Sequence, residues 1–156
     1  MISINNIKKL REKTKAGVMD CRKALEQAKG DMARAQELIN KWGIIKSAKK
    51  EGRDTKSGLV HSYIHGDGKV GVLMELLCET DFVARTGDFQ KLAHELCLQV
   101  ASMDPQDTKE LLNQDYIRNP KIKIIDLVKQ EIGKLGENMI VSRFTRYQLG
   151  QVKSSK

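Results

Sequence analysis

GLVHSYIHGDGKVGVLMELLC, Gly58 to Cys78, is the stretch on which the fold turns. Its second half sets Val70, Val72, Met74, Leu76 and Cys78 at alternate positions, which makes one face of an extended strand apolar. Its first half, Leu59-Val60-His61-Ser62-Tyr63-Ile64, is rich in residues that suit a partner strand, and Asp67-Gly68 between the two is a tight-turn pair. The stretch therefore reads as an antiparallel hairpin. It also contains Gly66-Asp67-Gly68-Lys69-Val70-Gly71, the spelling of a dinucleotide-binding loop. That chemistry needs a helix to follow, so that its first amides face a pyrophosphate; here a strand follows, and the glycines belong to the turn. No G-x-x-x-x-G-K-[ST] motif occurs, so no phosphate-cradling P-loop is expected.

Toward the C-terminus the period changes from two to that of a helix. Phe89, Leu92, Ala93, Leu96, Cys97 and Val100 mark an amphipathic helix that Pro105 closes, and Thr108 to Gln114 reads as one or two further helical turns. A last helix is expected over roughly Ile124 to Leu135, carrying Ile125, Val128, Ile132 and Leu135 and ending at Gly136. Its internal Gly133 should weaken it by about 1 kcal/mol. Met139 to Leu149, with β-branched, aromatic and Arg residues, reads as a final strand. Three strands with two or three helices imply an α+β domain, a small antiparallel sheet covered on one face.

Toward the N-terminus three short helical bursts occupy Ser3 to Gly43. Ser3 is a candidate N-cap for a helix with Ile7 and Leu10 on one face; Val18, Cys21, Leu25 and Ala28 align on a second that stops at Gly30. Asp31 caps a third, which aligns Met32, Ala35, Leu38, Ile39 and Trp42 before Gly43 ends it. About forty residues are few for an independent core, so this bundle is expected to lean on a neighbour or partner. Residues 46–57, KSAKKEGRDTKS, lack apolar periodicity and read as a linker. The expected organisation is a helical domain over 1–45, the linker, an α+β core over 58–150 and a basic tail over 151–156.

At 156 residues, 40% hydrophobic and 31% charged, with mean hydropathy −0.47, the composition is that of a soluble globular chain with no membrane-spanning run. The N-terminal residues MISINNIKKLREKTK carry neither a signal-peptide block nor a transit-peptide pattern, which suggests a cytoplasmic protein. A formal charge of +8 points to an acidic partner, protein or nucleic acid. Cys21, Cys78 and Cys97 form no C-x-x-C pair and read as buried reduced thiols. His61, His65 and His94 have no acid or thiol at ligand spacing, so no metal site is expected. His61 and Ser62, adjacent on a strand, point to opposite faces and cannot share a proton, which leaves no nucleophilic constellation.

On residues alone, the corner Thr80-Asp81-Phe82 has two readings. Asp81 caps a short turn while Phe82 fills the core, or Phe82 is presented beside an acid to another molecule. The run Cys78-Glu79-Thr80-Asp81-Phe82-Val83-Ala84-Arg85-Thr86, with Phe89, resembles the signature of the elongation factor Ts family, guanine-nucleotide exchange factors of translation. Leu10-Arg11-Glu12-Lys13-Thr14 and Ala16 to Leu25 are similar to that family's N-terminal signature. Gly43 to Lys50, Gly58 to His65, Leu135-Gly136-Glu137-Asn138, Arg143-Phe144, Arg146-Tyr147 and Gly150 resemble its later segments, in order. The chain departs at Lys15, where the family commonly has Gly, at Val18, often Met, and at Glu51. Long members carry two related core subdomains; this chain has one and looks like a short form.

The resemblance implies a UBA-like (ubiquitin-associated-like) N-terminal bundle and a non-enzymatic role, in which the chain binds elongation factor Tu, with GDP or free of nucleotide, and makes GDP leave. It implies that Thr80, Asp81, Phe82 and Val83 intrude beside the partner's magnesium and phosphates, with Val83, like Phe89, also buttressing the corner from the core. Arg11, Thr14, Gly17, Val18, Met19, Asp20 and Lys23 are implied as a second contact from the bundle. No cofactor or metal of the chain's own is expected. A homodimer through the sheet or closing strand would enlarge the interface of a single core, and with Thr145 in that strand it would need no disulfide. The contrasting reading, an RNA-binding module, rests on the positive charge; against it stand 4% aromatic content and no sequence-reading motif, so no specific nucleic acid is expected.

Overall fold

The computed structural model of the chain describes residues 2–152. Of the expected basic tail, all but Gln151 and Val152 lies outside the described residues. The chain divides into two compact units, Met1–Glu51 with Lys129–Gly136, and Gly52–Val128 with Glu137–Lys156. No helix among the described residues is long and apolar enough to cross a membrane.

In the first unit, α1 (Ile4–Thr14), α2 (Val18–Gln27) and α3 (Met32–Ser47) form a bundle around Leu10, Cys21, Ala24, Leu25, Ala28 and Ala35. The caps are those the sequence predicts. Ser3 accepts a hydrogen bond from the Asn6 amide at 3.2 Å, and Asp31 from the Arg34 amide at 3.0 Å. Two expectations are corrected. Val18 shares the spacing of Cys21 and Leu25, but it is the first residue of α2 and is exposed. The third helix runs past Gly43 to Ser47.

The reason Gly43 sits inside a helix is α7 (Ile124–Leu135), whose last turns belong to this unit. A Cβ at Gly43 would lie 3.4 Å from the carbonyl oxygen of Gln130, and one at Gly133 would overlap the Gly43 backbone. Two glycines thus let two helix backbones touch, and the propensity cost of Gly133 is the condition for that crossing.

In the second unit, β1 (Ser57–His65), β2 (Val70–Cys78) and β5 (Met139–Gln148) form an antiparallel sheet in the order β1-β2-β5. The hairpin register pairs Ser57 with Cys78 and His65 with Val70, and Leu76 faces Val141 whereas Glu75 faces Arg143, so Ser142 is bulged out. One face is packed. Val72, Met74, Leu76, Cys78, Met139 and Val141 are buried on it, and β1 and β2 pack against α5 (Gly87–Met103), where Phe89, Leu92, Leu96, Cys97 and Val100 are buried as well. On the other face Val60, Ile64, Leu73, Ile140 and Tyr147 are exposed. The short α4 (Asp81–Ala84) links β2 to α5, and α6 (Thr108–Asn113) follows it. Then comes an element the sequence did not suggest, a small hairpin of β3 (Asp115–Tyr116) and β4 (Asn119–Lys123). Two residues in β3 and five in β4, Pro120 among them, are too few to display a period.

Candidate functional site

The corner between β2 and α5 begins where the β2–β5 ladder ends, at the pair Cys78 and Met139. Beyond it, two carboxylates take over from the ladder. Glu137 Oε2 accepts from the backbone amides of Glu79 (3.1 Å) and Thr80 (3.0 Å), and its Oε1 accepts from the Thr80 hydroxyl at 2.6 Å. In the opposite sense, Glu79 Oε1 accepts from the Asn138 amide at 2.7 Å and pairs with Arg53 at 3.7 Å, while Asn138 Nδ2 donates to the Arg53 carbonyl.

Thr80, not Asp81, caps α4. Its backbone is extended and its hydroxyl oxygen accepts from the Val83 amide at 3.4 Å. Thr86 then closes the corner, donating to the Val83 carbonyl at 2.8 Å and capping α5 through the Phe89 amide. Within this frame Val83 and Phe89 are buried. Phe82 is 83% exposed and fills no core. Asp81, exposed beside it in the first turn, makes no side-chain hydrogen bond or ion pair among the described residues. An unburied aromatic and an unpaired carboxylate therefore stand on a rigid base.

In the first unit the second group of residues divides. Thr14 is buried, its hydroxyl donating to the Leu10 carbonyl at 2.8 Å and accepting from the Ala16 amide, so it fixes the α1–α2 turn. Gly17 is the N-cap of α2, and Val18 and Met19, the latter 71% exposed, follow it as an apolar pair on the surface. Asp20 pairs with Lys46 at 2.6 Å, and Lys23 lies over the Trp42 ring at 5.6 Å. Arg11 is exposed on α1.

Elsewhere the chemistry is quiet. Burial raises the pKa of Cys21, Cys78 and Cys97, the last to about 12, so none of the three supplies a thiolate near neutral pH. His61 Nε2 lies 3.4 Å from His94 Nδ1, and burial together with that neighbour lowers the His61 pKa. Among the described residues, no group of three or more His, Cys, Asp or Glu could hold a metal ion. What the sequence did not reveal is the crossed pair of carboxylates. Glu79 and Glu137 each stand in a family-like stretch, but Thr80 and Glu137 are 57 residues apart, and no local pattern signals their meeting.

Residues 79–155 match the family model described as Elongation factor TS. The chain is 38% identical to Elongation factor Ts of Coprothermobacter proteolyticus over 195 aligned positions, covering 96% of this chain and 99% of that protein. The chain belongs to the elongation factor Ts family. Elongation factor Ts of Thermotoga maritima is 41% identical over 193 positions, with 96% and 97% coverage, and that of Fervidobacterium nodosum 39% identical, with 96% and 99%. Each of these alignments has more positions than this chain has residues, so these elongation factor Ts proteins carry segments that it lacks. The corner from Glu79 onward falls within the elongation factor Ts match, as do the closing helix and strand. A role in translation elongation follows from that membership.

Proposed function

We propose that the chain is a guanine-nucleotide exchange factor for elongation factor Tu, acting without covalent chemistry in the cytoplasm. The observation that carries this reading is Phe82, 83% exposed next to unpaired Asp81 on a corner that is otherwise fully tied down. Presented to the nucleotide site of a GTPase, the ring supplies a wedge and the carboxylate competes with the phosphates for the magnesium charge.

Energetics call for a second grip. A thousandfold loosening of GDP needs about 4 kcal/mol of differential binding, and by reciprocity GDP must weaken the factor's hold equally. Burial of one Phe side chain supplies roughly 1.5–3 kcal/mol. Val18 and Met19, exposed on the first unit beside the Asp20–Lys46 pair, provide that grip.

The uncovered face of the sheet supports a homodimer. Ile64 is 63% and Tyr147 74% exposed, and a cavity of about 290 Å³ is lined by Val60, Leu73, Glu75, Arg143 and Thr145 among others. Sedimentation should then show a dimer that Leu73→Lys dissociates; a wild-type monomer at all concentrations refutes it.

The exchange reading is tested by the release of fluorescent GDP from elongation factor Tu with wild-type chain and with Phe82→Ala. Because Phe82 packs on nothing, the variant should melt as the wild type does while losing about tenfold or more in release rate. Equal acceleration by both removes Phe82 from the mechanism. Acceleration by neither, with tight salt-sensitive RNA binding instead, would replace exchange by the nucleic-acid reading.

A further inference from the structure

We propose that Glu137, with Glu79 as its counterpart, is a positioning residue: its carboxylate holds the peptide that presents Asp81 and Phe82, and without it the corner cannot act on a partner's nucleotide site. The inference rests on the exchange reading and assigns that site a part lying outside its own contact surface.

Three observations carry it. The first is what α4 lacks. At four residues it is far too short to be stable by its own hydrogen bonds, and its outer residue Phe82 gains nothing from packing. Its order has to come from both ends. Val83 and Ala84 are buried at one end; at the other, the only anchor for the Thr80 side chain besides its own cap, among the described residues, is Glu137.

The second is where the contacts fall. The sheet ladder stops at Cys78 and Met139, so the amides of Glu79 and Thr80 have no strand partner. One carboxylate satisfies both, and takes the Thr80 hydroxyl as well. Hydrogen bonds to an ionised acceptor are the strong kind. The third is the reciprocity of the arrangement. Glu79, whose amide is held by Glu137, itself holds the amide of Asn138, the residue after Glu137. Neither segment can move without breaking the other's bond. A corner held this way meets its partner already ordered, and losing that order lowers the occupancy of the acting shape rather than removing any contact group.

The test uses the full chain, three variants of the clamp and, for comparison, variants of the corner it holds. Glu137→Ala removes all three bonds. Glu137→Gln keeps a carbonyl oxygen for the two amides and an amide group for the hydroxyl but gives up the charge, so it should fall between the wild type and Glu137→Ala, nearer the wild type. Thr80→Val removes the hydroxyl contact and the cap, and serves if Glu137→Ala fails to fold. In the free chain, hydrogen exchange at residues 79–83 should quicken tenfold or more in Glu137→Ala and much less in Glu137→Gln. GDP release from elongation factor Tu at saturating factor should slow about tenfold in Glu137→Ala and recover for the most part in Glu137→Gln. The triple variant Asp81→Ala/Phe82→Ala/Glu137→Ala should be no slower than Asp81→Ala/Phe82→Ala, because Glu137 acts through those two side chains. Wild-type release rates in Glu137→Ala, or a further loss in the triple variant, overturn the proposal. If the wild-type chain itself fails to speed release, the exchange reading falls; the clamp then stands on the amide exchange alone, and unchanged protection in Glu137→Ala overturns it too.

Discussion

Lys15 ends α1 with φ at 56°, in the left-handed region, and its amide donates to the Arg11 carbonyl at 2.7 Å. A side chain there is strained by roughly 1 kcal/mol or more, which gives a physical meaning to the chain's departure from Gly at this position. Lys15→Gly should therefore stabilise the chain by about 0.5–1 kcal/mol, read as a higher urea midpoint at unchanged slope. Gly133→Ala should do the opposite. Propensity alone forecasts a gain of about 1 kcal/mol, but the new methyl group would overlap the Gly43 backbone, so thermal melting should show a loss of about 1–3 kcal/mol. Both residues are conspicuous in the sequence, and both need the backbone for their sign. The same holds at Phe82, where spacing leaves core and surface open and only the buried turn of Val83 and Phe89 decides between them.

Elements are legible in proportion to their length. The hairpin, α5, α7 and the closing strand fall within a few residues of their expected bounds because each repeats its period several times. The β3–β4 hairpin is hidden because polar tertiary contacts, and no pattern of its own, hold it to α5. Gln99, fully buried, donates to the Asp115 carbonyl at 3.1 Å and accepts from the Ile117 amide at 3.0 Å. Glu95 accepts from the Tyr116 hydroxyl at 2.6 Å and pairs with Arg118.

Burial opposes the charge on Glu95, yet the hydrogen bonds from Tyr116 and Arg118 and the Arg118 charge outweigh it and hold its pKa below the ordinary 4.5. A lowered carboxyl pKa contributes stability above the ordinary value that is lost as pH falls through the folded one. His61, also lowered, by burial first and by His94 second, loses its contribution as pH falls below 6.5. Melting temperature should thus decline in two steps on acidification, one below about 6.5 and one below about 4.5. Glu95→Gln should shrink the lower step, to which Glu75, held low by the Ser142 hydrogen bond and by Arg143, also contributes, and should reduce the neutral-pH plateau; a lower step unaffected by that substitution would refute the assignment.

At the scale of the whole molecule, charge is divided unequally. The entire formal charge of +8 falls in Met1–Glu51 with Lys129–Gly136, while cations and anions in the other unit are equal in number. Lys8, Lys9, Arg11, Lys13 and Lys15, on α1 and its cap, make no ion pair among the described residues. An unpaired field of one sign acts on approach more than on the bound complex, and salt screens it within about 10 Å at 0.1 M. Stopped-flow association with an acidic partner should accordingly slow several-fold as ionic strength rises, whereas GDP release at saturation should hardly change. Equal salt sensitivity of both steps would sink that division of labour.

The crossing of α3 and α7 at Gly43 and Gly133 has a consequence for the making of the chain. Residues 1–51 leave the ribosome early, but the turns of α7 that complete their unit are not translated until residue 136. At about 5–20 residues per second the bundle waits on the order of ten seconds with the Gly43 stripe of α3 bare. The first unit to be synthesised is thus among the last to be finished, and a ribosome that stalls midway through this message holds a nascent bundle that has nothing to close on.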